Sequence, residues 1–232
     1  MLLDDIKSLH INNMDVKELI LNNNTIWTAE QPYDQLLDTY VRTPAGGGLI
    51  LNYVPKHNSQ INMTFKQQGY KTTSSYQGDR YVIYGAHDNF YFTVEYGGSN
   101  RFYWYYNNGS TSGCSTTTTS SYTMLKYDSS LTIDVKEGLF RSSIMNNTVT
   151  TLDNAKEIYE PLVIGDYGTS GVSWKNRCVV CVKSLKIYED GILVRDYVPA
   201  QKGDKYGLYD HKTGVFCWET THANGDGCFW CN

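Results

Sequence analysis

Six cysteines are the residues of this sequence most suited to metal or disulfide chemistry, and four of them form two C-x-x-C pairs, Cys178 with Cys181 and Cys228 with Cys231. Two such pairs are a common framework of a zinc site. The first pair, however, lies in an apolar sequence typical of a strand. An offset of three along a strand places the two thiols on opposite faces, so they would share one ion only across a bulge.

The second C-x-x-C pair follows a Gly-rich run, and we expect it in a flexible tail. One prediction for this tail is a disulfide to Cys217, or a metal clip that Cys217 and His222 form with Cys228 and Cys231. The other is reduced thiols that pack as small apolar groups, which assembly in a reducing cytoplasm favours. Two oxygen-rich turns, at 87–89 and 224–226, each supply too few oxygens for calcium. We therefore predict no metal and no cofactor.

Catalytic patterns are missing from the sequence. Glycosidases of the sandwich class carry two carboxylates on one strand, in a Glu-x-Asp-x-x-Glu pattern, and no such string occurs here. The nearest acid pairs, Asp134 with Glu137 and Glu189 with Asp190, lie beside glycines and are interpreted as turn residues. The five histidines are scattered, and neither a Gly-x-Ser-x-Gly nor a His-Glu-x-x-His motif is present. The sequence predicts a protein that is not an enzyme.

Residues 90–106 form the most readable hairpin and carry the candidate binding residues. Alternation places an apolar set on one face, which we expect in the core: Phe90, Phe92, Val94, Tyr96, Phe102, Trp104 and Tyr106. The other face then carries an aromatic and charged set: Tyr91, Glu95, Arg101, Tyr103 and Tyr105. Such a set stacks on sugar rings or packs on a neighbouring subunit. The alternative is that tyrosine occupies an exposed strand face through its β propensity alone.

The elements that position these residues are predicted to be strands. Short alternating runs separated by Asn clusters predict a three-strand meander in residues 1–28, which is too small to hold a core and should dock on the rest of the chain or on another protein. Residues 29–34 are interpreted as a linker. From residue 35 to 232 many short strands alternate with Gly-rich or polar turns, without a sustained helical period. The predicted fold class is all-β, an antiparallel two-sheet sandwich.

Composition and charge exclude other classes. The chain of 232 residues has 20 Lys and Arg against 24 Asp and Glu, a net charge of −4, and has no basic run that would neutralise nucleic-acid phosphates. A hydrophobic content of 41% argues against disorder. No apolar stretch approaches the roughly 20 residues that a membrane span needs. Acids occupy the N-terminus where a secretory signal has positive charge, so we expect no such leader.

The most specific motif lies near the C-terminus. A strand at 184–188, a turn at 189–191 and a returning strand at 192–199 precede Gly207-Leu208-Tyr209-Asp210. This string resembles the closing motif of concanavalin A-like, laminin-G-like jelly-roll domains in bacteriophage and bacterial surface proteins, K-I-Y-x-[DN]-G-x-L-V-R-D-[FY]-V-P followed by G-L-Y-D. Asn52-Tyr53-Val54-Pro55 looks like an earlier strand of the same family.

Residues 1–28 resemble a small module at the front of phage virion proteins, because V-K-x-L-x-L-N-x-x-x-I-W recurs between Val16 and Trp27. The two resemblances imply a jelly roll displayed on a virion assembled in the bacterial cytoplasm, as a head fibre, decoration or tail component. They imply a homo-oligomer that contacts other virion proteins through the N-terminal module. The alternative is an adhesin that binds host surface glycans through Tyr91, Glu95, Arg101, Tyr103 and Tyr105.

Overall fold

The structure is a computed structural model. It describes residues 9–11, 14–16, 18–21, 24–28, 32–44, 47–68, 79–86, 90–96, 100–106, 118–119, 129–134, 139–142, 146–148, 158–166, 176–221 and 228–231. All regular elements in these ranges are strands. The described ranges contain no helix that is long and apolar enough to cross a membrane.

The N-terminal residues form two small hairpins. Their strands are β1 (Leu9–Ile11), β2 (Met14–Val16), β3 (Glu18–Leu21) and β4 (Asn24–Thr28). β1 pairs with β2 and β3 with β4, both antiparallel. The described residues of this segment thus form four short strands in two antiparallel pairs, where the sequence analysis expected three. The docking of the segment on the rest of the chain or on another protein stays a prediction.

The remaining strands belong to two larger sheets. In chain order they are β5 (Gln35–Leu36), β6 (Tyr40–Arg42), β7 (Leu49–Ile50), β8 (Ser59–Gln68), β9 (Asp79–Gly85), β10 (Phe90–Tyr96), β11 (Asn100–Tyr106), β12 (Thr118–Thr119), β13 (Ser129–Asp134), β14 (Leu139–Ser142), β15 (Asn146–Thr148), β16 (Val163–Ile164), β17 (Asn176–Arg177), β18 (Val179–Glu189), β19 (Ile192–Lys202), β20 (Lys205–Asp210), β21 (Val215–Cys217) and β22 (Phe229–Cys231).

One sheet has seven strands in the order β12-β11-β10-β9-β16-β7, with β17 parallel to β9. The other has eleven, with the path β15-β14-β13-β8-β18-β19-β20-β21. β18 is the central strand of this second sheet. β8 pairs along one of its edges, while β6 and then β19 share the other. All these pairings except that of β17 are antiparallel, which agrees with the predicted all-β sandwich.

The core lies between the two sheets. Ile61, Met63 and Phe65 project into it from β8, because alternate residues of a strand share a face. Tyr84 and Phe92 project into it from the seven-stranded sheet. All five side chains are buried, and they mark the inner faces of the two sheets.

The predicted hairpin of the closing motif is confirmed. β18 and β19 pair from Leu185 with Tyr197 to Glu189 with Ile192. Asp190 and Gly191 form the turn, and both have positive φ values, 47° and 79°. Two consecutive positive φ values define the tight turn that suits the twist of paired strands. The interpretation of Asp190 as a turn residue is therefore correct, whereas Glu189 is the last residue of β18. Asp134, also interpreted as a turn residue, is the last residue of β13, and its partner Glu137 lies outside the described residues.

The predicted linker and the predicted flexible tail both contact the eleven-stranded sheet. Asp34 in the predicted linker accepts a hydrogen bond from the Gly203 backbone at 2.5 Å, and β5 immediately after it pairs with β19. The predicted flexible tail contains β22, which pairs with β6. A backbone bridge between Cys228 and Tyr206 connects the same segment to β20. β5 pairs with the edge of β19 and β22 with the edge of β6, and sequence composition does not reveal such strand pairing.

Candidate functional site

The hairpin of β10 and β11 has the register that its alternation predicts. Tyr91 lies opposite Tyr105, Thr93 opposite Tyr103 and Glu95 opposite Arg101. Phe90 and Phe92 are buried, which confirms the inner face at this end of the hairpin. The side chains of Tyr91, Glu95, Arg101, Tyr103 and Tyr105 lie outside the described part of the structure, so their assignment to a binding face stays a prediction.

The polar residues of the closing motif converge on Asp210, whose side chain is fully buried between the sheets. Its Oδ1 accepts hydrogen bonds from the backbone N–H groups of Asp196 and Lys212, each at 3.0 Å. Its Oδ2 accepts one from Thr213 Oγ1 at 2.6 Å and lies 3.4 Å from Arg195 Nε. These donors satisfy the hydrogen-bonding capacity of a buried carboxylate. Asp210 is therefore a structural anchor of the turn after β20.

Asn52 connects this anchor to the other sheet. Its backbone oxygen accepts hydrogen bonds from Arg195 Nε and Nη2 at 3.4 and 3.3 Å. Its side-chain oxygen accepts one from the Tyr197 hydroxyl at 2.6 Å and one from the Cys217 thiol at 3.3 Å. Its amide donates to Thr213 at 2.9 Å. Burial raises the pKa of Tyr197 well above its ordinary range, so the hydroxyl stays a donor.

The next residues of the early motif hold the turn of the closing hairpin. The Tyr53 hydroxyl lies 2.5 Å from Ser59 Oγ and 3.3 Å from a Glu189 oxygen. The Lys56 ammonium pairs with Glu189 at 2.8 Å, and the Asn58 amide donates to Asp190 at 2.6 Å. Burial is the main cause that raises the pKa of Tyr53. The two motifs that share a family resemblance are thus bonded to each other.

A second buried polar group lies beside Gly48, which precedes β7, whereas Asn52 follows that strand. Thr221 Oγ1 donates to the Asp166 carboxylate at 2.6 Å and accepts from the Gly48 backbone at 2.8 Å. Gly48 and its neighbour Gly47 leave no room for a Cβ atom, because the backbone oxygens of Ile164 and Thr221 lie against them. The Gly-rich segment at 46–48 is therefore a close backbone approach at these two positions.

A cationic and aromatic group lies on the outer face of the eleven-stranded sheet. The ammonium groups of Lys66 and Lys183 lie 4.2 and 5.8 Å from the ring centroid of Tyr40. Cys181 lies opposite Lys66 on one side and opposite Arg42 on the other, so the three strands present these residues in one row. We call Tyr40, Arg42, Lys66 and Lys183 the Tyr40 surface.

A β-bulge lies at Lys183. β18 has one more residue than β8 between Val182 and Ser184, and that residue is Lys183. Lys183 is exposed, whereas Val182 before it is fully buried. Alternation from Val182 places Lys183 on the outer face, and the bulge then returns Leu185 to the core, where it is fully buried.

The cysteines whose side chains are described are reduced thiols. Cys178, Cys217 and Cys228 belong to the core, where they pack as small apolar groups as predicted. Cys181 is buried on the opposite side of β18 from Cys178, as their offset of three predicts. Burial raises the pKa of Cys228 to about 12, so this thiol is a poor nucleophile. The side chains of Cys231 and His222 lie outside the described residues.

Within the described ranges no group of three or more His, Cys, Asp or Glu side chains is arranged to hold a metal ion. The oxygen-rich turns at 87–89 and 224–226 lie outside those ranges. Of the acid pairs in the sequence, Glu189 binds Lys56 and Asp190 binds Asn58. The buried acids Asp166 and Asp210 face hydroxyl donors, and Asp210 also faces backbone donors and the Arg195 guanidinium. Their geometry suits structural roles.

Comparison with protein-family models finds no match, and comparison with curated proteins finds none either. Among solved structures, the mouse laminin alpha1 chain, domains LG4-5, is similar. The two share 12% identity with a TM-score of 0.50, and the similarity covers 88% of this chain and 53% of the laminin chain. The chain thus spans about half the length of that structure. At this identity the similarity shows the fold, a laminin G-like jelly-roll sandwich.

Sequence reasoning missed the Tyr40 surface and the contacts of Asn52. Tyr40, Lys66 and Lys183 lie on three strands far apart in the sequence, and only the pairing of those strands brings them together. The one local signal was the pattern Cys181-Val182-Lys183, where a charged residue interrupts a buried run. Asn52 belongs to the motif Asn52-Tyr53-Val54-Pro55, but the motif alone does not indicate which residues bond to Asn52.

Proposed function

We propose that the chain is a non-enzymatic surface protein of a bacteriophage virion, a decoration, head-fibre or tail component that displays a laminin G-like sandwich. The observation that carries this proposal is where the polar residues of the closing and the early motif lie. Arg195 and Asp210 of the closing motif form an ion pair between β19 and β20, and Arg195 also donates to the backbone oxygen of Asn52 in the early motif. A motif used in this way supports a scaffold.

The virion context rests on the resemblance of residues 1–28 and of the closing motif to phage proteins. The test is electron microscopy of purified particles of a phage that encodes the chain, with an antibody raised against the purified protein. Labelling at regular positions on heads or tails is the expected result. Unlabelled particles, together with detection of the chain only in the lysate, would contradict the proposal.

The second candidate function is attachment to host surface glycans. It is favoured by the register of β10 and β11, which pairs Tyr91 with Tyr105 and Glu95 with Arg101. Tyrosine rings stack on sugar rings, while the charged pair hydrogen-bonds to hydroxyl groups. If the same face contacts neighbouring subunits in the particle, it serves assembly and not attachment.

A glycan array separates the two candidates. The wild type is compared with Tyr103→Ala and Tyr105→Ala, with Tyr159→Ala as the control because Tyr159 is 80% exposed on another segment. Loss of a defined glycan signal in the two hairpin variants, at unchanged mass by light scattering, indicates attachment. A change of oligomer mass without any glycan signal indicates an assembly surface.

A further inference from the structure

The outer face of the eleven-stranded sheet has an apolar row across β19, β20 and β21. Val198 lies opposite Tyr209, and Tyr209 lies opposite Phe216. Leu208 and Cys217, which neighbour them in the chain, belong to the core, so alternation places the row on the outer face. The three side chains are half-buried, and part of each therefore remains open to a further contact.

Trp218 extends this row. It is 38% exposed, and the Lys205 ammonium lies 3.3 Å from its ring centroid. Because Lys205 and Tyr209 are on the same side of β20, the Trp218 ring is on the outer face as well. We call Val198, Tyr209, Phe216 and Trp218 the Tyr209 surface. A contiguous apolar patch on an outer sheet face is typical of a surface that another element covers.

The chain that precedes the sandwich reaches it at this surface. The Tyr33 ring packs on Tyr209, and the backbone N–H of Asp34 donates to Gln201 on β19. β4 ends at Thr28, five residues before Tyr33. Five residues of extended chain span at most about 18 Å. The hairpin of β3 and β4 therefore ends within that distance of Tyr33, beside the Tyr209 surface.

The hairpin of β3 and β4 needs an apolar partner. Its strands have four and five residues, and a two-stranded hairpin of this size is marginally stable in water by itself. Its sequence supplies large apolar side chains: Leu19, Ile20, Leu21, Ile26 and Trp27. Because burial of such side chains against other apolar surface is favourable, a second layer would supply the stabilisation that the two strands lack.

From the contact of Tyr33 and the small size of the hairpin we propose that β3 and β4 dock on the Tyr209 surface of their own chain. The short connection keeps the hairpin at a high local concentration near this surface, which favours its own chain over a second copy. Docking covers the rings of Tyr209, Phe216 and Trp218 with a further layer of strands. The hairpin and the sandwich then move as one unit, so a partner that holds residues 1–28 also orients the sandwich.

Hydrogen exchange of the full chain tests the docking, with mass spectrometry of peptides that cover residues 18–28. An undocked hairpin opens often, so its amides exchange nearly as fast as those of an unfolded peptide. In the wild type we expect exchange at least about a hundredfold slower than that limit. Peptides of β18 report any global unfolding.

Phe216→Asp should accelerate exchange of the hairpin peptides about tenfold, because it places a carboxylate in an apolar contact. Ile192→Asp introduces the same acid at a 68% exposed position at the other end of β19, and it should leave the exchange rate within about twofold. Phe216→Ser serves as the milder variant if Phe216→Asp accelerates exchange in β18 as well.

A double-mutant cycle tests whether the hairpin is the element that covers the surface. Trp27→Asp should also accelerate exchange, and adding Phe216→Asp to it should have little further effect, because both substitutions remove the same contact.

Four results would overturn the inference. They are fast exchange in the wild type, equal effects of Phe216→Asp and Ile192→Asp, additive effects in the cycle, and protection that is lost on dilution, which docking on a second copy requires. The inference does not rest on the proposed virion role, and its readout uses neither particles nor glycans, so the two proposals fail separately.

Discussion

The Arg195 guanidinium lies 3.4 Å from the Asp210 carboxylate, and this ion pair connects β19 to the last residue of β20. Asp210 is fully buried, while the Arg195 side chain retains 24% exposure. The Arg195 guanidinium also lies 5.4 Å from the Tyr53 ring centroid. One arginine therefore holds the early and the closing motif together. The motif residues stabilise the fold through contacts that cross between its sheets.

Replacing Asp210 with Asn tests this role. The variant leaves Arg195 with a neutral neighbour and removes two charge-assisted acceptors, so stability should fall by about 3 kcal/mol. Urea denaturation followed by tryptophan fluorescence measures the change. Asp196→Asn is the matched control, because Asp196 pairs with Lys186 on a more exposed face and should cost no more than about 1 kcal/mol. Equal losses in the two variants would show that Asp210 is not an anchor.

Substitution of Tyr84 is predicted to raise the stability of the fold, whereas substitution of Asp210 lowers it. Its hydroxyl is buried among Phe90 and Phe92 and has no hydrogen-bond partner in the described structure. Burial raises its pKa well above the ordinary value. Because Tyr84→Phe removes an unsatisfied polar group, stability should rise by about 1 kcal/mol. Tyr53→Phe removes a hydroxyl bonded to Ser59 and should lower stability by a similar amount. Thermal unfolding of both variants compares them, and a destabilised Tyr84→Phe contradicts the prediction.

Buried thiols predict a loss of stability at alkaline pH. Burial raises the pKa of Cys217 from 9.0 to about 11 and that of Cys228 from 9.0 to about 12. Because the raised pKa values belong to the folded state, the stabilisation is full below pH 9 and is lost as the pH rises from 9 through 11 to 12. The melting temperature should be constant near pH 8 and fall between pH 9 and 10. Buried tyrosines contribute only above pH 10.

The control for the alkaline effect is Cys228→Ala. This variant should reduce the slope of melting temperature against pH between 9 and 10, because one of the three thiols whose pKa burial raises, Cys178, Cys217 and Cys228, no longer titrates. Its melting temperature at pH 7 supplies the reference for the packing lost on substitution. An unchanged slope would mean that other groups cause the alkaline loss.

Gly207 in the closing motif predicts a steric effect. A Cβ atom at this position meets the backbone oxygen of Cys217 on the neighbouring β21. Backbone cannot yield as a flexible side chain does, so Gly207→Ala should cost about 3 kcal/mol. Gly191→Ala meets no atom within 4 Å and differs only by its positive φ, so it should cost about 1 kcal/mol. Chemical denaturation gives both values, and a Gly207→Ala cost below that of Gly191→Ala contradicts the packing argument.

The fold class and the closing hairpin were predictable from local patterns. Alternation identified the inner face of β10 at Phe90 and Phe92, and Asp190-Gly191 predicted the turn because both residues tolerate positive φ. The contacts of residues 33–37 were not predictable. Asp34 was interpreted as part of a linker, and only the free edge of β19 beyond its pairing with β18 explains why Asp34 bonds to Gln201 and why Gln35 and Leu36 form β5. Strand pairing is a property of the assembled sheet.

The candidate sites were less predictable than the fold. A hairpin brings its own residues together, so the sequence alone assigned Tyr91 and Tyr105 to the same face, and the structure pairs them. The Tyr40 surface unites residues more than 140 positions apart, and no local period reports such a contact. The bulge at Lys183 is a further difficulty, because it changes the face of Ser184 and of every strand residue after it, and a strict alternation misses the change.

The contacts of residues 33–37 with the eleven-stranded sheet determine how the sandwich responds to a pulling force on the residues that precede them. Tyr33 packs on Tyr209 with ring centroids 4.5 Å apart, and the backbone N–H groups of Asp34 and Leu37 donate to β19. Tension along β5 loads these bonds together, in shear, whereas tension away from the sheet breaks them one at a time. Residues 33–37 therefore act as a mechanical clamp, whose rupture force depends on the direction in which the sandwich is pulled.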